Sequence, residues 1–279
     1  MRIHPECYPC FLRQAYNTLK LVTGDESLQE RVLKAIMRKL AGYEGGDPPP
    51  KVSLLIYGTI SQETGVEDPY KSKKRKYNRM ALELYPRLKE MVERADDPLL
   101  AAVKVAIAGN IIDFGVGRPF ELESLEVLEK LELVVSHYES FRKDLKRAKT
   151  ILYIGDNAGE VVFDRVLLET IKGKELFFSV RSGPIINDAT IEDAYEAGID
   201  RVASILESGS QVPGTLLDEV SPEFKELFWE ADMVISKGQG NFETLDDAPR
   251  EIYFFLRAKC DVVAGLLGVN VGDTLLIKK

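Results

Sequence analysis

Oxygen-bearing side chains follow two short apolar runs of the chain. Asp156, Asn157 and Glu160 lie in "GDNAGE", which begins directly after "TILYI". Asp188 lies in "NDAT", a few residues after "ELFFSV". Carboxylate and amide oxygens are the ligands that Mg²⁺, Mn²⁺ and similar divalent ions prefer. An Asp-Asn pair on one loop and an Asp on the next would leave positions open for water and a substrate oxygen, so these residues indicate a hard-metal site.

Two basic residues occupy similar positions. Arg181 follows "ELFFSV" directly, and Lys237 ends "DMVISK", just before "GQGNFET" with its Asn241. In phosphoryl transfer a metal neutralises negative charge, while a Lys or Arg holds the transferring phosphate. Arg181 and Lys237 are therefore candidates to contact a phosphate, and Asn241 is a further substrate-binding candidate.

The same loops also suit a structural role. Asp and Asn at a strand-to-helix turn commonly act as N-caps, which accept hydrogen bonds from free backbone N–H groups. Asp188 fits this alternative well, because "ATIEDAYEAG" directly follows it. Several such loops at one sheet edge are harder to explain as independent caps, so the pattern favours a shared site.

Nucleotide-binding motifs match these loops poorly. The chain contains no Walker A string, and "GQGNFE" has Glu243 where a dinucleotide fingerprint needs its third glycine. An acidic loop after a first strand could suit S-adenosylmethionine, but "GDNAGE" lacks the repeated glycines that let a backbone approach a cofactor. A cofactor of that kind stays an alternative to the metal.

Apolar periodicity divides the chain into two parts. Up to about residue 147, apolar residues recur at three- and four-residue steps, which indicates helices that bury one face. From residue 150 onward, short β-branched runs alternate with amphipathic segments, which predicts a mostly parallel sheet. We therefore predict an α/β protein with a mainly helical N-terminal region (1–147) and a Rossmann-like α/β domain (148–279).

The predicted strands and helices place the polar loops on one sheet edge. Ligands of open parallel sheets bind outside the carboxyl ends of the strands. The predicted strands are residues 150–154, 175–180, 201–206, 232–237, 252–258 and 273–278. The clearest predicted helices are residues 6–22, 27–43, 78–95, 97–112, 160–173, 188–198, 215–231 and 260–268.

Composition narrows the function classes. A net charge of -8 and a pI near 5.1 argue against a general binder of nucleic acid or anionic membranes. No apolar run reaches about 18 residues, and "MRIHPECYPC" lacks the apolar stretch of a signal peptide. The expectation is a cytoplasmic protein in a reducing compartment, which also fits its three cysteines.

Four motifs resemble those of a known family in order and spacing. They are "AGNIIDFG" (108–115), "DNAGE" (156–160), "NDAT" (187–190) and "KGQGNFETL" (237–245). The family was long catalogued as domain of unknown function 89, and its members are described as metal-dependent damage-control phosphatases. With "ECYPC" near the start and "RAKC" near the end, the sequence is similar to the prokaryotic branch that carries a C-x-x-C motif. The resemblance spans essentially the whole chain.

This resemblance implies a fold and a ligand set. The fold would combine a helical N-terminal portion with a Rossmann-like α/β portion. A divalent metal would be held by Asp156, Asn157 and Asp188, and phosphosugars or damaged phosphometabolites would be the substrates.

The resemblance also implies a substrate side of the pocket. Lys237 would hold the phosphate, and Asn110 and Asp113 would line the side that faces the substrate.

The sequence thus predicts a phosphatase that hydrolyses small phosphorylated metabolites with Mg²⁺, Mn²⁺, Co²⁺ or Ni²⁺. One acid among Asp156, Asp188 and Glu160 would orient or deprotonate a water. Two alternatives stay open. The first is an S-adenosylmethionine-dependent carboxyl methyltransferase, a role suggested for relatives of the family, and the second is a non-enzymatic metal-binding module.

The cysteines could form a second site. Cys7 and Cys10 make up a C-x-x-C, which is half of a zinc or redox site. Cys260 is the remaining thiol, and His4 lies three residues before Cys7. One interpretation is a cluster with a structural zinc that joins the two ends of the chain. The other is small apolar residues on the buried face of the first helix.

The basic run "YKSKKRKYNRM" (70–80) has three interpretations. It could bind nucleic acid, form a solvated helix face, or guide anionic substrates towards the metal. Because the chain is acidic overall, we predict no nucleic-acid partner and no membrane partner.

Overall fold

The N-terminal part of the protein is helical, as predicted. The computed structural model describes residues 1–110, 128 and 131–279. The first helices are α1 (Cys7–Val22), α2 (Glu26–Ala41), α3 (Pro49–Thr64), α4 (Lys71–Arg94) and α5 (Pro98–Ala108). Asp25 caps α2 and Asp97 caps α5 by accepting hydrogen bonds from backbone N–H groups of the first turn. Both helices therefore begin where the sequence offers a short acidic side chain.

Helix α3 was not expected, because the prolines of "GGDPPP" indicate a break. Pro49 and Pro50 instead form its first turn. Proline fits there, since first-turn N–H groups have no acceptor within the helix. Gly65 ends α3 with a φ of 73°, a left-handed conformation that glycine adopts without strain.

Helix α4 begins seven residues before the predicted start at 78, so it includes the basic run. Lys71, Arg75, Lys76 and Arg79 are exposed, as a solvated helix face requires. Lys74 is the exception among the basic residues of this run, because it is buried and paired with Asp193 of a later helix and with Asp68 of the preceding loop.

One seven-stranded sheet forms the second part of the described chain. Its strands are β1 (Val135–Ser136), β2 (Thr150–Ile154), β3 (Glu175–Val180), β4 (Ser204–Glu207), β5 (Met233–Lys237), β6 (Tyr253–Arg257) and β7 (Thr274–Lys278). Their order is β1-β7-β6-β5-β2-β3-β4. Strands β6 and β7 are antiparallel, and the other neighbours are parallel. The predicted α/β class with a mostly parallel sheet is confirmed.

The helices of this part connect the strands. They are α6 (Tyr138–Arg147), α7 (Glu160–Thr170), α8 (Ile191–Ala197), α9 (Pro222–Glu230), α10 (Gln239–Leu245) and α11 (Asp261–Leu267). Helix α9 starts seven residues later than predicted, at the point where Ser221 accepts a hydrogen bond from Phe224 N and Pro222 occupies the first turn. Strand β4 starts three residues later than predicted, after a 3₁₀ turn at Ile199–Arg201.

Alternating side chains of the sheet build two cores. Tyr153 of β2 packs in a cluster with residues of α4 to α8, whereas its neighbour Leu152 packs on the other face with residues of α9 to α11. This alternation follows from the two-residue period of a strand. Helices α1 to α3 share a separate cluster, which Ile185 of the loop after β3 joins.

The two predicted parts are in extensive contact. Helices α4 and α5 pack against α7, and all three contribute to one core with the sheet. The proposed boundary between residues 147 and 148 stays a prediction. In the part of the chain that the structure describes, we find no helix with the length and apolar content needed to cross a membrane.

Candidate functional site

Two loops at the carboxyl ends of β2 and β3 run side by side. Ala158 N donates a hydrogen bond to Asn187 O (2.8 Å), and Ala189 N donates to Asp156 O (2.8 Å). Asn157 and Asp188 face each other in an isolated bridge between the loops. The pairing of two neighbouring parallel strands thus brings the three predicted metal ligands to one sheet edge.

Gly238 lets the loop after β5 approach Asp156. Gly238 follows β5 with a φ of 81°. A Cβ at this position would lie 1.9 Å from Asp156 Oδ2, which no side chain could tolerate. Gly238 therefore serves both its backbone conformation and the close approach of "KGQGN" to Asp156.

The loop after β3 holds an unusual backbone conformation. Among the described residues, Ile186 is the only one other than glycine with a positive φ, 46°. A β-branched residue is rare in the left-handed region and costs conformational energy there. The strain lies directly before Asn187 and Asp188, where such outliers commonly accompany functional loops.

Two amides bridge the first pair of acids. Asn110 Nδ2 donates to Asp156 Oδ2 (3.0 Å) and to Glu160 Oε2 (3.0 Å). Asn157 Nδ2 donates to the same two oxygens at 2.7 and 3.1 Å. Asn110, expected on the substrate side, therefore contacts the acids that follow β2. Asp113, predicted beside it, lies outside the described residues.

Lys237 lies behind this pair in the interior. Its Nζ donates to Glu160 Oε1 (2.5 Å), Asp164 Oδ1 (2.5 Å) and Ala106 O (2.7 Å). Tyr153 OH donates to the same Asp164 oxygen (2.7 Å). Lys237 is fully buried, so these three contacts use all of its N–H donors. Its direct neighbour in the site is Glu160.

Arg181 and Asn241 hold the loops from behind. Arg181 Nε donates to Asp188 Oδ2 (2.8 Å), and its Nη2 donates to Asn241 Oδ1 (3.0 Å). Asn241 Nδ2 donates to Lys237 O (2.7 Å) and Gly155 O (3.2 Å). Both side chains are almost completely buried. They contact the loops that bear Asp156 and Asp188.

Negative charge exceeds positive charge in the buried part of the site. Four buried carboxylates (Asp156, Glu160, Asp164 and Asp188) face two buried cations, Lys237 and Arg181. Burial raises the pKa of Asp156, and the charges of Glu160 and Asp188 raise it further. Burial also raises the pKa of Asp188, against the opposing effect of Arg181. A bound cation would offset this surplus.

The donor set fits a hard divalent ion. Two carboxylates and one amide supply oxygen donors. Asn110 Oδ1 is buried without a hydrogen-bond partner among the described residues, so a further oxygen acceptor is available beside Asp156. In that same part of the chain, no three side chains of the His, Cys, Asp and Glu types are grouped so that they could hold an ion. A metal site formed by Asp156 and Asp188 therefore also needs the amide oxygen of Asn157 as a ligand.

A cavity of about 610 Å³ opens in front of the three predicted ligands. Asp156, Asn157 and Asp188 form part of one wall, and α1 and α3 contribute an apolar wall that includes Phe11 and Pro49. Glu160, Lys237, Arg181 and Asn241 do not line it. The structure thus separates the predicted site residues into a wall and a supporting layer.

Sequence reasoning missed Lys259. This exposed residue supplies the only basic side chain in the cavity wall, as far as the described residues go. Its charge lowers the pKa values of Asp156, Asp188 and Glu243. Lys259 follows β6 in "RAKC", so the rule that drew attention to the loops after β2, β3 and β5 would also have found it.

Comparison with known proteins assigns the chain to a family. A model of the family described as "Damage-control phosphatase ARMT1-like domain" matches residues 3–275. The chain belongs to this family. The resemblance of its four motifs to the domain of unknown function 89 family is thereby confirmed.

Several relatives, two of them named damage-control phosphatases, match the chain over nearly its whole length. An uncharacterised protein of Methanocaldococcus jannaschii is 39% identical and aligns with 100% of this chain and 96% of its own. A damage-control phosphatase of Archaeoglobus fulgidus is 38% identical, with 98% of both chains aligned. The damage-control phosphatase PH1575 of Pyrococcus horikoshii is 37% identical and aligns with 100% of this chain and 98% of its own.

A crystal structure supports the same assignment. The structure of PH1575, a DUF89 family protein, matches with a TM-score of 0.93 at 35% identity and covers 100% of this chain and 99% of that one. The names of these relatives support a phosphatase role for the family.

Proposed function

We propose that this chain is a divalent-metal-dependent phosphatase that hydrolyses small phosphorylated metabolites, such as phosphosugars or damaged phosphometabolites. The convergence of Asp156, Asn157 and Asp188 on one cavity wall is the observation that carries the proposal. Membership of a damage-control phosphatase family supports the reaction class. A cavity of about 610 Å³ suits a small metabolite rather than a macromolecule.

Asp156, Asn157 and Asp188 would hold the ion. When bound, a divalent ion neutralises charge on the phosphoryl group and lowers the pKa of a water. Mg²⁺, Mn²⁺, Co²⁺ and Ni²⁺ are the candidate cofactors, because oxygen donors suit each of them. A cytoplasmic location stays part of the proposal.

The acids divide into two roles. Asp156 and Asp188 reach the cavity wall, whereas Glu160 lies behind it. We assign the orientation or deprotonation of the attacking water to Asp156 or Asp188. Glu160 is a positioning residue, because its carboxylate accepts from Asn157 and thereby orients the amide that borders the cavity.

The basic residues also divide into one that borders the cavity and two that support the acids from behind. Lys259 can reach a phosphate in the cavity, and we assign it the contact predicted for Lys237. Lys237 has no free donor and supports Glu160 instead. Arg181 supports Asp188 through Nε.

A phosphosugar panel tests the proposed reaction. We expect phosphate release with Mg²⁺, Mn²⁺, Co²⁺ or Ni²⁺ and none after treatment with EDTA. Asp156→Ala should lower kcat/KM by more than roughly a hundredfold, because even loss of an outer contact to a ligand typically costs 10- to 100-fold. Hydrolysis that survives EDTA or this substitution would contradict the mechanism. Calorimetry that shows tight S-adenosylmethionine binding without metal would favour the methyltransferase alternative.

Substitution of Lys259 tests the assignment of the phosphate contact. Lys259→Met should lower kcat/KM by roughly tenfold, mainly through KM, since it removes one charge-assisted contact. Lys172→Met, which removes an exposed lysine remote from the cavity lining, is the matched control. An unchanged KM for Lys259→Met would mean that a residue other than Lys259 contacts the phosphate.

A further inference from the structure

Three cysteines line the same cavity. Cys7 and Cys10 come from the first turn of α1, and Cys260 precedes α11. All three are free, and all three line the cavity. Cys10 is exposed and Cys7 is half-buried, so the C-x-x-C does not belong to the buried face of α1, which consists of Phe11, Ala15, Thr18 and Leu19. Cys7 and Cys260 pack partly against neighbouring core clusters, whereas packing does not explain exposed Cys10.

Each sulfur accepts an N–H hydrogen bond. The donors are His4 N to Cys7 Sγ (3.4 Å), Gln14 Nε2 to Cys10 Sγ (3.3 Å) and Gln239 Nε2 to Cys260 Sγ (3.5 Å). Donors of this kind stabilise a thiolate relative to a thiol, and outer hydrogen bonds commonly orient the ligands of metal sites. These donors can orient the sulfurs, while burial raises the pKa of the Cys7 thiol, so a bound cation would be needed to hold it as a thiolate.

A buried carboxylate lies beside the thiols. Glu243 also lines the cavity, is only 8% exposed, and accepts its side-chain hydrogen bond from Gln239 Nε2 (2.8 Å). Glu243, Cys260 and Cys10 are all close enough to Cys7 for their negative charges to raise its pKa. Three thiols and one carboxylate, from α1, α10 and the residue before α11, thus line one cavity.

We propose that Cys7, Cys10 and Cys260 bind a zinc ion, with the Glu243 carboxylate as the fourth donor. Zinc accepts sulfur and carboxylate ligands in tetrahedral geometry, with Zn–S distances of about 2.3 Å. The thiols are not yet grouped around one point in the described structure, so the ion draws them together by side-chain rotation. Exposed Cys10 has the most freedom to rotate.

The sulfur donors separate this site from the one formed by Asp156, Asn157 and Asp188. Soft thiolates select zinc, whereas carboxylate and amide oxygens suit Mg²⁺ and Mn²⁺. The zinc would tie the start of α1 to the segment that carries Lys259, and so fix one wall of the cavity. The inference does not rest on the phosphatase proposal, because it concerns a different donor set.

A cobalt titration tests the zinc site without reference to activity. Reduced, metal-free protein receives Co²⁺, and the thiolate-to-cobalt charge-transfer absorption is recorded. We expect one equivalent to give the band, zinc to remove it, and Asp156→Ala to leave it intact. Absence of the band in the wild type, or an unchanged band in Cys260→Ser, overturns the proposal. Circular dichroism confirms that each variant is folded.

Two further substitutions test the remaining contacts. Gln239→Ala should weaken zinc binding by roughly 10- to 100-fold, the usual effect of losing an outer hydrogen bond to a ligand. Glu243→Gln should weaken it at least as much, whereas Glu6→Gln, which neutralises an exposed acid at the same cavity, should not. Unchanged binding in Glu243→Gln combined with loss in His4→Ala would overturn Glu243 as the fourth ligand.

Discussion

Two buried polar clusters of this protein differ in their charge balance. The site cluster contains four carboxylates and two cations at the carboxyl ends of β2, β3 and β5. The interface cluster, formed by the buried residues Lys74, Asn78 and Asp193, joins α4 to α8, and exposed Glu196 contacts it from the surface. Lys74 Nζ donates to Asp193 Oδ2 (3.2 Å), while Asn78 Nδ2 donates to Asp193 Oδ1 (2.9 Å) and Glu196 Oε2 (2.7 Å).

The clusters also differ in how completely their polar atoms are satisfied. Asn110 Oδ1 and Asp164 Oδ2, two of the buried side-chain atoms that lack a partner among the described residues, belong to the site cluster. In the interface cluster, Asp193 additionally closes the capping box of α8 through Thr190. The buried charges of the interface cluster, Lys74 and Asp193, balance each other, whereas the site cluster keeps a negative surplus that an external cation can offset.

The largest expected effect comes from removing Lys237, one of the two cations of the site cluster. Lys237→Met leaves Glu160 and Asp164 buried without their partner, which should cost about 3–5 kcal/mol of the free energy of unfolding. Lys74→Met should cost about 1–3 kcal/mol, because Asp193 keeps Asn78 and the cap as donors. Urea unfolding measures both values.

A second substitution sharpens this test. Asp164→Asn added to Lys237→Met removes one stranded charge and should recover part of the loss, as a double-mutant cycle would show. A larger loss for Lys74→Met than for Lys237→Met would contradict the proposed difference between the clusters.

The position of the predicted metal ligands follows from local sequence, and the structure brings them together at one sheet edge. Parallel neighbours β2 and β3 each end in an oxygen-rich loop, so Asp156 and Asp188 had to meet if the strands paired. Whether they bind metal stays a prediction. Strand β1 was missed, because it has only two residues and lies in a stretch interpreted as helical, and β4 was displaced; the bounds of the other strands were predicted within one residue, because the buried runs are short and apolar.

The location of Lys237 could not be predicted in the same way. It ends a strand and precedes a glycine, which is typical of a ligand-binding position. Its partners Glu160 and Asp164 are more than 70 residues away along the chain, and only the packing of α7 on β5 brings them together. Their four-residue spacing on the apolar first half of α7 was the available signal. Helix α3 was missed because prolines both interrupt and begin helices.

The response to metal is the second prediction. A divalent ion at about a hundred times its dissociation constant should stabilise the wild type by about 2.7 kcal/mol. Asp156→Asn should lose this response. Without metal the same variant should be about 1–2 kcal/mol more stable than the wild type, because it removes a buried charge.

The stability that Asp156→Asn gains over the wild type without metal should depend on pH in a definite direction. The pKa of Asp156 is raised in the folded state, so the stability that its protonated form contributes is lost as pH rises through that value. The advantage of Asp156→Asn in EDTA should therefore be larger at pH 8 than at pH 5, which thermal unfolding measures. Asp232→Asn is the control, because backbone N–H donors lower the pKa of Asp232. An equal stability advantage of Asp156→Asn at pH 5 and pH 8 would contradict a surplus of buried negative charge around Asp156.

The smallest expected effect lies where α4 packs on α7. Glu169 accepts hydrogen bonds from Tyr85 OH (2.7 Å), Lys89 Nζ (2.9 Å) and Arg165 Nε (3.0 Å). Burial alone would raise the pKa of Glu169, but these three donors lower it overall. Its stabilising contribution should therefore be present above the ordinary pKa of about 4.3 and be lost as pH falls through the folded value.

Glu169→Gln should cost about 1 kcal/mol at neutral pH and nearly nothing in acid, without a change in kcat. Glu83→Gln, on the exposed side of α4, is the matched control and should change neither quantity. Denaturant unfolding at pH 7 and pH 3 measures the difference. A loss of activity in Glu169→Gln would mean that this balanced contact between the helical region and α7 also positions the site. Helix α7 would provide the route, since its first residue is Glu160 and one of its last is Glu169.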